Sequence, residues 1–254
     1  MTFILPSFGA SAISAVPGGG GGALTNTYSV SFDGTDDYMD LGSSTTYADT
    51  ASAFSISAWF KFDTFSNYPA ILQLKTNRSN GFLLAAGTVS TYQGVWFGSS
   101  DADGFKGLST SSSSVASSIS SGWHHLIFTY DGVDSQSSSS FNLYIDGSAV
   151  TAATSVVVGA YSNINKSGHG DFSYFGFDGL IDELAIFNTE LSSSDVTSIY
   201  NSGTPTDLSS YSPAGWWRMG DDDSGTGTTI TDQGSGGNDG TLTNGPTFST
   251  TVPS

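Results

Sequence analysis

Short segments in which apolar and polar residues alternate recur along this chain of 254 residues. In YSVSFDG, Tyr28, Val30 and Phe32 share one face, and FSISAWFKF at 54–62 repeats the pattern. Successive side chains of a β-strand point to opposite faces, so a period of two predicts half-buried strands rather than helices. Strands with one apolar face bury it when two antiparallel sheets pack together. The alternation therefore predicts an all-β sandwich.

Turn signals separate these segments. FNLYIDGSAV at 141–150 contains Asp146-Gly147, a pair typical of a type I′ hairpin turn. WHHLIFTYDG at 123–132 also ends on Asp-Gly. GLIDELAIFN at 179–188 is apolar on both faces apart from an Asp-Glu pair, as expected for a central strand of a sandwich.

One short helix is predicted near 192–202. Ser192 and Asp195 have the spacing of a capping box, and Leu191 and Val196 have that of a hydrophobic staple. Gly203 suits the C′ position after the helix. The remainder favours strands and turns, because nearly all of the 23 acidic residues are Asp. The serine-rich stretches 108–122 and 134–140 are predicted to be exposed loops.

The charge balance excludes several classes of partner. The formal net charge is −17, with 6 Lys plus Arg, and there is no Cys. Such a surface repels phosphate backbones and anionic lipids, so neither a nucleic acid nor a membrane is expected as a partner. Without Cys, disulfides, thiolate metal sites and Cys nucleophiles are excluded. No segment reaches the ~18 apolar residues of a membrane span.

Residues 1–24 are predicted to form an N-terminal tail that docks on other proteins, and residues 25–254 to form the sandwich. The tail contains the glycine run Gly18–Gly22, which is typical of a hinge. It lacks the positively charged start of a secretion signal. A signal cleaved around Ala12–Ala15 is the alternative.

Five segments occur in an order that matches a known family. They are FDGTDDYMDLG (32–42), FSISAWFKFD (54–63), WHHLIFTYDG (123–132), LYIDGSAV (143–150) and FDGLIDELAIFNTELSSSDVTSIYNSG (177–203). Together they resemble the laminin-G-like domains of the concanavalin A-like lectin/glucanase superfamily. The resemblance spans about Tyr28 to Gly203, and it implies a jelly-roll β-sandwich of two antiparallel sheets.

The segment 214–250 carries further family-like motifs in an unusual place. In related domains a stretch of this form usually precedes the SFDG strand, whereas here it comes last, as WWRMGDDDSGTGTTITDQGSGGNDGTLTNGPTF. The resemblance implies that the end of this chain supplies strands that the family takes from its beginning. Strands are predicted at 215–219 and 240–248, with Trp216 or Trp217 and Leu242 facing the core. Strand addition to a neighbouring subunit is the alternative.

Acidic residues of two family motifs are the candidate metal ligands. Several members of the family hold calcium, which takes about six to eight oxygen ligands. Asp33 in FDGTDD and Asp182 in LIDEL match the acidic positions, and they converge if their strands are neighbours. The alternative is that Asp33-Gly34 forms a turn and Asp182 caps backbone amides. Asp221–Asp223 lack EF-hand spacing and are predicted to form a solvated acidic turn.

The chain is predicted not to be an enzyme. Superfamily members that hydrolyse glucans carry two Glu on one strand, and retaining hydrolysis needs carboxyl groups about 5 Å apart. Here the only glutamates, Glu183 and Glu190, are seven positions apart. His124, His125 and His169 have the spacing of neither a triad nor a metal set. A core position for His124 or His125, with a hydrogen-bonded ring, is the preferred interpretation.

Aromatic residues, which make up 13% of the chain, are candidate platforms for sugars. One group is Tyr92, Trp96 and Phe97, and a second is Tyr161, Phe172, Tyr174, Phe175 and Phe177. A strand buries every second residue, so a core position competes for each of them. No ligand-binding residue is therefore assigned.

A second resemblance concerns the chain as a whole. FILPSFGASA, a glycine run and then SFDGTDDYM are similar to virion structural proteins of marine bacteriophages. This implies a non-enzymatic capsid decoration, head-fibre or tail-associated protein located in the virion. Its expected partners are other virion proteins, further copies of itself in closed symmetry, and host surface glycans. No cofactor is expected apart from calcium. The alternative is a secreted carbohydrate-binding module or a lectin related to glycoside hydrolases.

Overall fold

The computed structural model of the chain describes residues 24–42, 52–65, 69–77, 80–89, 92–101, 104–109, 113–133, 138–150, 166–167 and 176–254. In chain order its strands are β1 (Ser29–Asp33), β2 (Tyr38–Asp40), β3 (Phe54–Phe62), β4 (Ala70–Asn77), β5 (Asn80–Val89), β6 (Tyr92–Asp101), β7 (Gly104–Ser109), β8 (His124–Tyr130), β9 (Phe141–Ile145), β10 (Ser148–Val150), β11 (Lys166–Ser167), β12 (Asp178–Phe187), β13 (Gly215–Trp217), β14 (Thr229–Ile230), β15 (Gly240–Thr243) and β16 (Thr247–Ser249). The helices are α1 (Ser113–Ser118) and α2 (Ser193–Tyr200), and short 3-10 turns lie at Ser138–Ser140, Asn201–Gly203 and Ser209–Tyr211. In these ranges no helix has the length and apolar character that a membrane span needs.

The strands form two antiparallel sheets. Sheet A has the order β10-β9-β8-β3-β12-β1-β16, and β13 also pairs with β12. Sheet B has the order β14-β15-β2-β11-β4-β5-β6-β7. One hydrophobic cluster joins side chains from both sheets, including Phe60 of β3 and Met39 of β2. The predicted all-β sandwich is therefore the observed fold.

Strand β3 shows how the alternation produces this core. Phe54, Ile56, Ala58, Phe60 and Phe62 all lie in the cluster between the sheets, and none is more than 4% exposed. Full burial of a phenylalanine side chain stabilises the fold by roughly 1.5–3 kcal/mol. The same holds on β1, where Val30 and Phe32 enter the cluster as predicted.

A second hydrophobic cluster covers the outer face of sheet A. It contains Ile127 and Phe187 from the sheet, Val196 and Ile199 from α2, and Trp216 from β13. Helix α2 is capped as predicted, since the Ser192 side chain accepts from the Asp195 amide and Asp195 accepts from the Ser192 amide. The predicted C′ position at Gly203 is wrong. The helix ends at Tyr200, and its C-cap is Asn201, which adopts a left-handed conformation with φ of +46°, as Asn tolerates better than most residues.

The serine-rich stretch 108–122 is not simply a loop. Its first residues belong to β7, and residues 113–118 form α1. Ala116 and the following Ile119 are buried at 4% and 0% exposure. These two apolar residues, spaced three apart, anchor one side of the helix and the turn that follows it. The many serines around them hid this helical spacing in the sequence.

The hairpin turn between β9 and β10 is of the predicted type. Asp146 has φ of +50° and Gly147 has φ of +72°. Positive φ at both central residues defines a type I′ turn, whose twist matches that of the flanking strands. The turn places Asp146 beside the start of β8, where its carboxylate contacts two consecutive histidines.

The C-terminal segment contributes strands to both sheets of the same chain. β13 pairs with β12 and β16 with β1 in sheet A, while β15 pairs with β2 and β14 in sheet B. Trp217 and Leu242 lie in the cluster between the sheets, as predicted, and Trp216 lies in the outer cluster. Residues 1–23, which include most of the predicted tail, lie outside the described residues.

The Gly- and Asp-rich connections of this segment are turns built around carboxylates. Asp232 accepts hydrogen bonds from the amides of Trp216, Gly234 and Asn238, at 2.8 to 2.9 Å. Asp239 in turn accepts from the Asp232 amide at 3.0 Å. Where the chain reverses direction, Asp carboxylates thus accept the hydrogen bonds of backbone amides that have no partner strand.

Candidate functional site

Strand β12 changes partners at Asp182 and Glu183. On one edge β1 pairs with its first half, up to Ile181, and β13 pairs with its second half, from Leu184. On the other edge the register with β3 shifts between Asp182 and Ala185. Glu183 has φ of +46°, in the left-handed region. A bulge of this kind redirects side chains away from the normal alternation.

The bulge creates a buried acidic cluster, which we define as Asp182, Glu183, Arg218 and Asp221. Asp182 is fully buried and Glu183 is 2% exposed. Glu183 accepts hydrogen bonds from the indole nitrogen of Trp216 at 2.6 Å and from Nε of Arg218 at 3.1 Å. The guanidinium also contacts Asp221 at 3.3 Å and lies 5.6 Å from the centre of the Trp216 ring. A buried charge is tolerated only when it is paired and hydrogen-bonded in this way.

The cluster also holds the segment 24–28 against the sandwich. Arg218 donates to the carbonyl of Thr25 at 2.6 Å, and Asn26 donates to Asp182 at 2.9 Å. Asp221 accepts from the amides of Thr27 and Tyr28. These bonds join the chain before β1 to residues 156 to 194 positions later.

Burial raises the pKa values of the carboxyl groups in the cluster. It raises the pKa of Glu183 to about 7, against the opposing effects of the Arg218 charge and of the hydrogen bonds from Trp216 and Arg218. Burial, with the negative charge of Glu183, raises the pKa of Asp182 well above its ordinary value. Burial also raises the pKa of Asp221, although the Thr27 amide and Arg218 oppose it. The cluster therefore holds protons at a pH where exposed carboxyl groups are ionised.

The two candidate calcium ligands lie at different places. Asp33 pairs across strands with Asp178, whereas Asp182 lies four positions further along β12. At about 3.3 Å per residue the two positions are roughly 13 Å apart. Asp182 accepts hydrogen bonds from the Glu183 amide and from Asn26, which matches the predicted alternative that it caps donors. The structure therefore does not bring the pair together.

Asp33 instead lies in an acidic turn between β1 and β2. Carboxylate oxygens of Asp33, Asp36 and Asp37 fall within 4.8 Å of one another. Asp33 accepts from the Thr35 amide and Asp37 accepts from the Asp33 amide, so the group also forms the predicted turn. Burial, together with the charge of Asp33, raises the pKa of Asp37. Hard oxygen ligands of this kind suit calcium, and calcium binding by Asp33 stays a prediction.

The predicted solvated turn at Asp221–Asp223 is wrong for two of its residues. Asp221 belongs to the buried cluster, and its side chain is only 5% exposed. Asp223 accepts from the amide and hydroxyl of Thr231 at 3.0 and 2.6 Å. Only Asp222, with a side chain 32% exposed, resembles the expectation. The run of three Asp gave no sign of this difference, because it depends on the turn that follows Arg218.

The two adjacent histidines have separate environments. His125 is 1% exposed, and its Nε2 lies 2.8 Å from the hydroxyl of Ser57. Its ring stacks on Trp59 at 4.6 Å between centroids. Burial lowers the pKa of His125 to about 3, so the ring is neutral. This confirms the interpretation of a core histidine with a hydrogen-bonded ring. His169 lies outside the described residues.

Among the aromatic candidates, Phe177 is a core residue. It is fully buried and packs on Phe32 and Phe62. Tyr161, Phe172, Tyr174 and Phe175 lie outside the described residues. Tyr92, Trp96 and Phe97 are all on β6 in sheet B.

Comparisons with known proteins agree with this architecture. Residues 33–197 match the laminin G-like family model of the concanavalin A-like lectin/glucanases superfamily. The chain belongs to this superfamily. No curated protein sequence matches it.

Solved structures share the fold at low sequence identity. A protein from Bacteroides ovatus, whose description proposes carbohydrate binding, is 16% identical with a TM-score of 0.61. The match covers 91% of this chain and 62% of that protein, so the chain spans less than two thirds of its length. Domain 4 of an extracellular arabinanase from Geobacillus stearothermophilus, solved with arabinotriose, is 20% identical with a TM-score of 0.49, covering 68% of this chain and 76% of that one.

Proposed function

We propose that this chain is a non-enzymatic, lectin-like recognition module. The observation that carries the proposal is the location of its two glutamates, which are not paired across a substrate site. Glu183 is buried, and its carboxylate accepts hydrogen bonds from Trp216 and Arg218. Glu190 follows β12 and is exposed at the surface. A retaining hydrolase needs two carboxyl groups about 5 Å apart on either side of a substrate bond. A glutamate that substrate cannot reach does not fill that role.

The superfamily fold and the aromatic content support a glycan as the ligand. The Bacteroides ovatus protein that shares the fold is itself described as a candidate carbohydrate-binding protein. The net charge of −17 favours a neutral glycan over an anionic one, because like charges repel. Aromatic rings and a few polar groups are the usual components of such sites.

Backbone register makes the outer face of sheet B the candidate surface. Phe97 pairs with Leu84, which pairs with Leu72, and Leu72 is buried between the sheets. Phe97 therefore occupies a row on the face of sheet B toward the core. Tyr92 and Trp96 occupy positions on the opposite face, because positions alternate along a strand. These two positions are the ones to test for glycan binding.

We propose a bacteriophage particle as the setting, as a capsid decoration, head-fibre or tail-associated protein. The resemblance of residues 3–12 and the glycine run to phage virion proteins supports this setting. In it, the predicted tail docks on other virion proteins and the sandwich is presented outward as part of a homo-oligomer. The alternative setting is a secreted carbohydrate-binding module, and the fold supports both equally.

Two experiments separate these proposals. Purified particles from a phage that encodes the chain are examined by quantitative mass spectrometry, and a fixed copy number per particle supports the virion setting. Its absence from particles, together with a mature chain beginning near Ala12–Ala15, supports secretion instead.

Separately, a glycan array is probed with the wild-type protein, with Trp96→Ala and with Val133→Ala. Val133 is an apolar residue 81% exposed near sheet A, so it serves as the matched control. Loss of binding in Trp96→Ala alone supports the sheet B face, and equal binding by all three proteins excludes it.

A further inference from the structure

His124 lies at the junction of three segments. It is the first residue of β8, and it contacts the turn between β9 and β10 on one side. On the other side it contacts the loop 119–122, which follows α1. Helix α1 packs on β5 and β6 of sheet B. The residue therefore links sheet A to a segment that lies against sheet B.

Both ring nitrogens of His124 face groups that only accept hydrogen bonds. Nδ1 lies 2.8 Å from a carboxylate oxygen of Asp146, and Nε2 lies 2.9 Å from the carbonyl of Ser121. A neutral imidazole carries one N–H, whereas both bonds need a hydrogen on each nitrogen. The geometry therefore requires the charged imidazolium form.

Asp146 is held in place independently of His124. Its second oxygen accepts from the His125 amide at 2.9 Å, and its own amide donates to the His125 carbonyl at 2.9 Å. Gly147 beside it packs closely on Tyr200 of α2, where an added Cβ would lie 2.7 Å from the ring. The turn is thus fixed on two sides, and the loop 119–122, which is anchored in the core at Ile119, can move at its exposed residues Ser121 and Gly122.

We propose that His124 is a pH-dependent link that ties the loop 119–122 to the turn at Asp146–Gly147 when protonated and releases the loop when neutral. The neutral ring keeps its N–H toward the Asp146 carboxylate, which is the stronger acceptor. A lone pair on Nε2 then faces the Ser121 carbonyl oxygen, and the two repel. Ser121 then moves away from His124, and the segment that follows α1 loses one hydrogen-bonded tie to sheet A.

The groups around His124 place this change above the ordinary titration range of histidine. Burial disfavours the charged ring, but the bonds to Asp146 and Ser121 outweigh it and raise the pKa of His124 above its ordinary value of 6.5. The bond from His124 is among the causes that lower the pKa of Asp146, against the effect of burial, so its carboxylate remains ionised throughout. The neighbouring His125 stays neutral, and the pKa of Tyr200 is raised, so neither titrates in the same range.

Hydrogen–deuterium exchange across residues 113–124 tests the proposal between about pH 5.5 and pH 8.5. After correction for the pH dependence of chemical exchange, we expect protection of the α1 amides and of Ile119, whose amide donates to Val115, to fall about fivefold in the wild-type protein, as one lost hydrogen bond predicts. His124→Gln is expected to show the lower protection at both pH values. Asp63→Asn, which alters an exposed carboxylate elsewhere, is expected to behave as the wild type. Protection that does not depend on pH in the wild type, or that keeps its pH dependence in His124→Gln, overturns the proposal.

A second measurement covers the case in which His124→Gln fails to fold. In Asp146→Asn the turn is retained, because Asn also tolerates positive φ. NMR titration of the His124 ring is expected to give a midpoint above 6.5 in the wild type and a lower midpoint in Asp146→Asn. A wild-type midpoint at or below 6.5, or equal midpoints in both proteins, contradicts the proposed link.

Discussion

Glu183 combines three features that each cost free energy. Its carboxyl group is buried, its backbone is left-handed, and it sits in a bulge of a central strand. A left-handed conformation costs roughly 1–2 kcal/mol for a residue with a Cβ. The hydrogen bonds from Trp216 and Arg218 offset part of this cost. Strained positions persist when the surrounding structure fixes them, and here the fixing groups come from the C-terminal segment.

The first prediction concerns the pH dependence of stability. The folded-state pKa of Glu183, about 7, is above its ordinary value of 4.5. A carboxyl group of this kind stabilises the fold while it is protonated, and the contribution is lost as pH rises from about 4.5 through about 7. We expect the free energy of unfolding, from urea titrations, to fall between about pH 5 and pH 8.

The variant Glu183→Gln isolates this contribution. Asp182, Asp221 and His124, whose pKa values are also raised, add slopes of the same sign, so the variant is expected to show a smaller slope rather than none. The lowered pKa values of Asp146 and Asp207 act at more acidic pH and do not interfere. An equal slope in the wild type and in Glu183→Gln would show that Glu183 is ionised throughout this range.

The second prediction concerns the single guanidinium of the buried acidic cluster. Arg218→Met keeps much of the side-chain volume but leaves Glu183 and Asp221 without their cation. Removing one partner of a buried ion pair typically costs about 3–5 kcal/mol. Lys61→Met, which breaks the exposed pair with Asp63, is the matched control and is expected to change stability by less than about 1 kcal/mol. Urea denaturation of both variants measures the difference, and a similar small effect in both would contradict the role given to Arg218.

At the scale of elements, the turn between β9 and β10 shows how one small residue fixes a contact. Gly147 has φ of +72°, and a Cβ there would lie 2.7 Å from the ring of Tyr200. Gly122 has φ of +84°, but a Cβ there would meet nothing within 4 Å. An added Cβ causes backbone strain at both positions, but it causes a steric clash only at Gly147.

The third prediction uses this pair of glycines. Gly122→Ala is expected to destabilise the protein by about 1 kcal/mol, the cost of placing a Cβ at positive φ. Gly147→Ala carries the same cost and must also displace Tyr200, so we expect a loss larger by about 1 kcal/mol or more. Thermal or urea unfolding measures both variants. Equal losses would mean that Tyr200 moves away freely and that the contact contributes little.

The elements that sequence predicted best are those whose signal is local. The alternation of β1 and β3, the Asp146-Gly147 turn and the Ser192–Asp195 capping box are each read from a few neighbouring residues. The end of α2 was placed too late because Asn201 adopts the left-handed conformation that glycine usually supplies. Helix α1 was missed because its apolar residues are few among serines.

The buried acidic cluster could not have been assembled from sequence. Its members come from β12 and from the turn after β13, and only the pairing of distant strands brings them together. The bulge depends on a left-handed Glu183, a conformation that no residue preference predicts. A weak signal did exist, since Arg218 is one of only 6 basic residues and precedes three Asp.

At the scale of the whole molecule, the C-terminal segment is part of the sandwich rather than an appendage. It supplies strands to both sheets, contributes Trp217, Ile230 and Leu242 to the core, and provides Arg218 to the buried cluster. The start of the described chain depends on it too, because Arg218 and Asp221 bind residues 25–28.

The fourth prediction follows from this dependence. A chain that ends at residue 212 lacks β13 to β16, and it leaves the core between the sheets exposed at one end. Trp217, Met219, Ile230 and Leu242 lose their places in the core, and at roughly 1.5–3 kcal/mol for each side chain this loss is comparable with the typical stability of a domain, about 5–15 kcal/mol. We expect such a chain to show no cooperative thermal transition by circular dichroism. Addition of a separate 213–254 peptide is expected to restore some structure, and cooperative unfolding of the truncated chain alone would contradict the account.

We expect the sandwich to bind a glycan without cleaving it. The protein is incubated with immobilised glycans, and retained protein and released sugar are measured in the same sample. At least one neutral glycan is expected to retain the protein, and no reducing ends are expected above the buffer control. Release of sugar that is abolished in Glu183→Gln, or no retention on any glycan, would show that the proposed function is wrong.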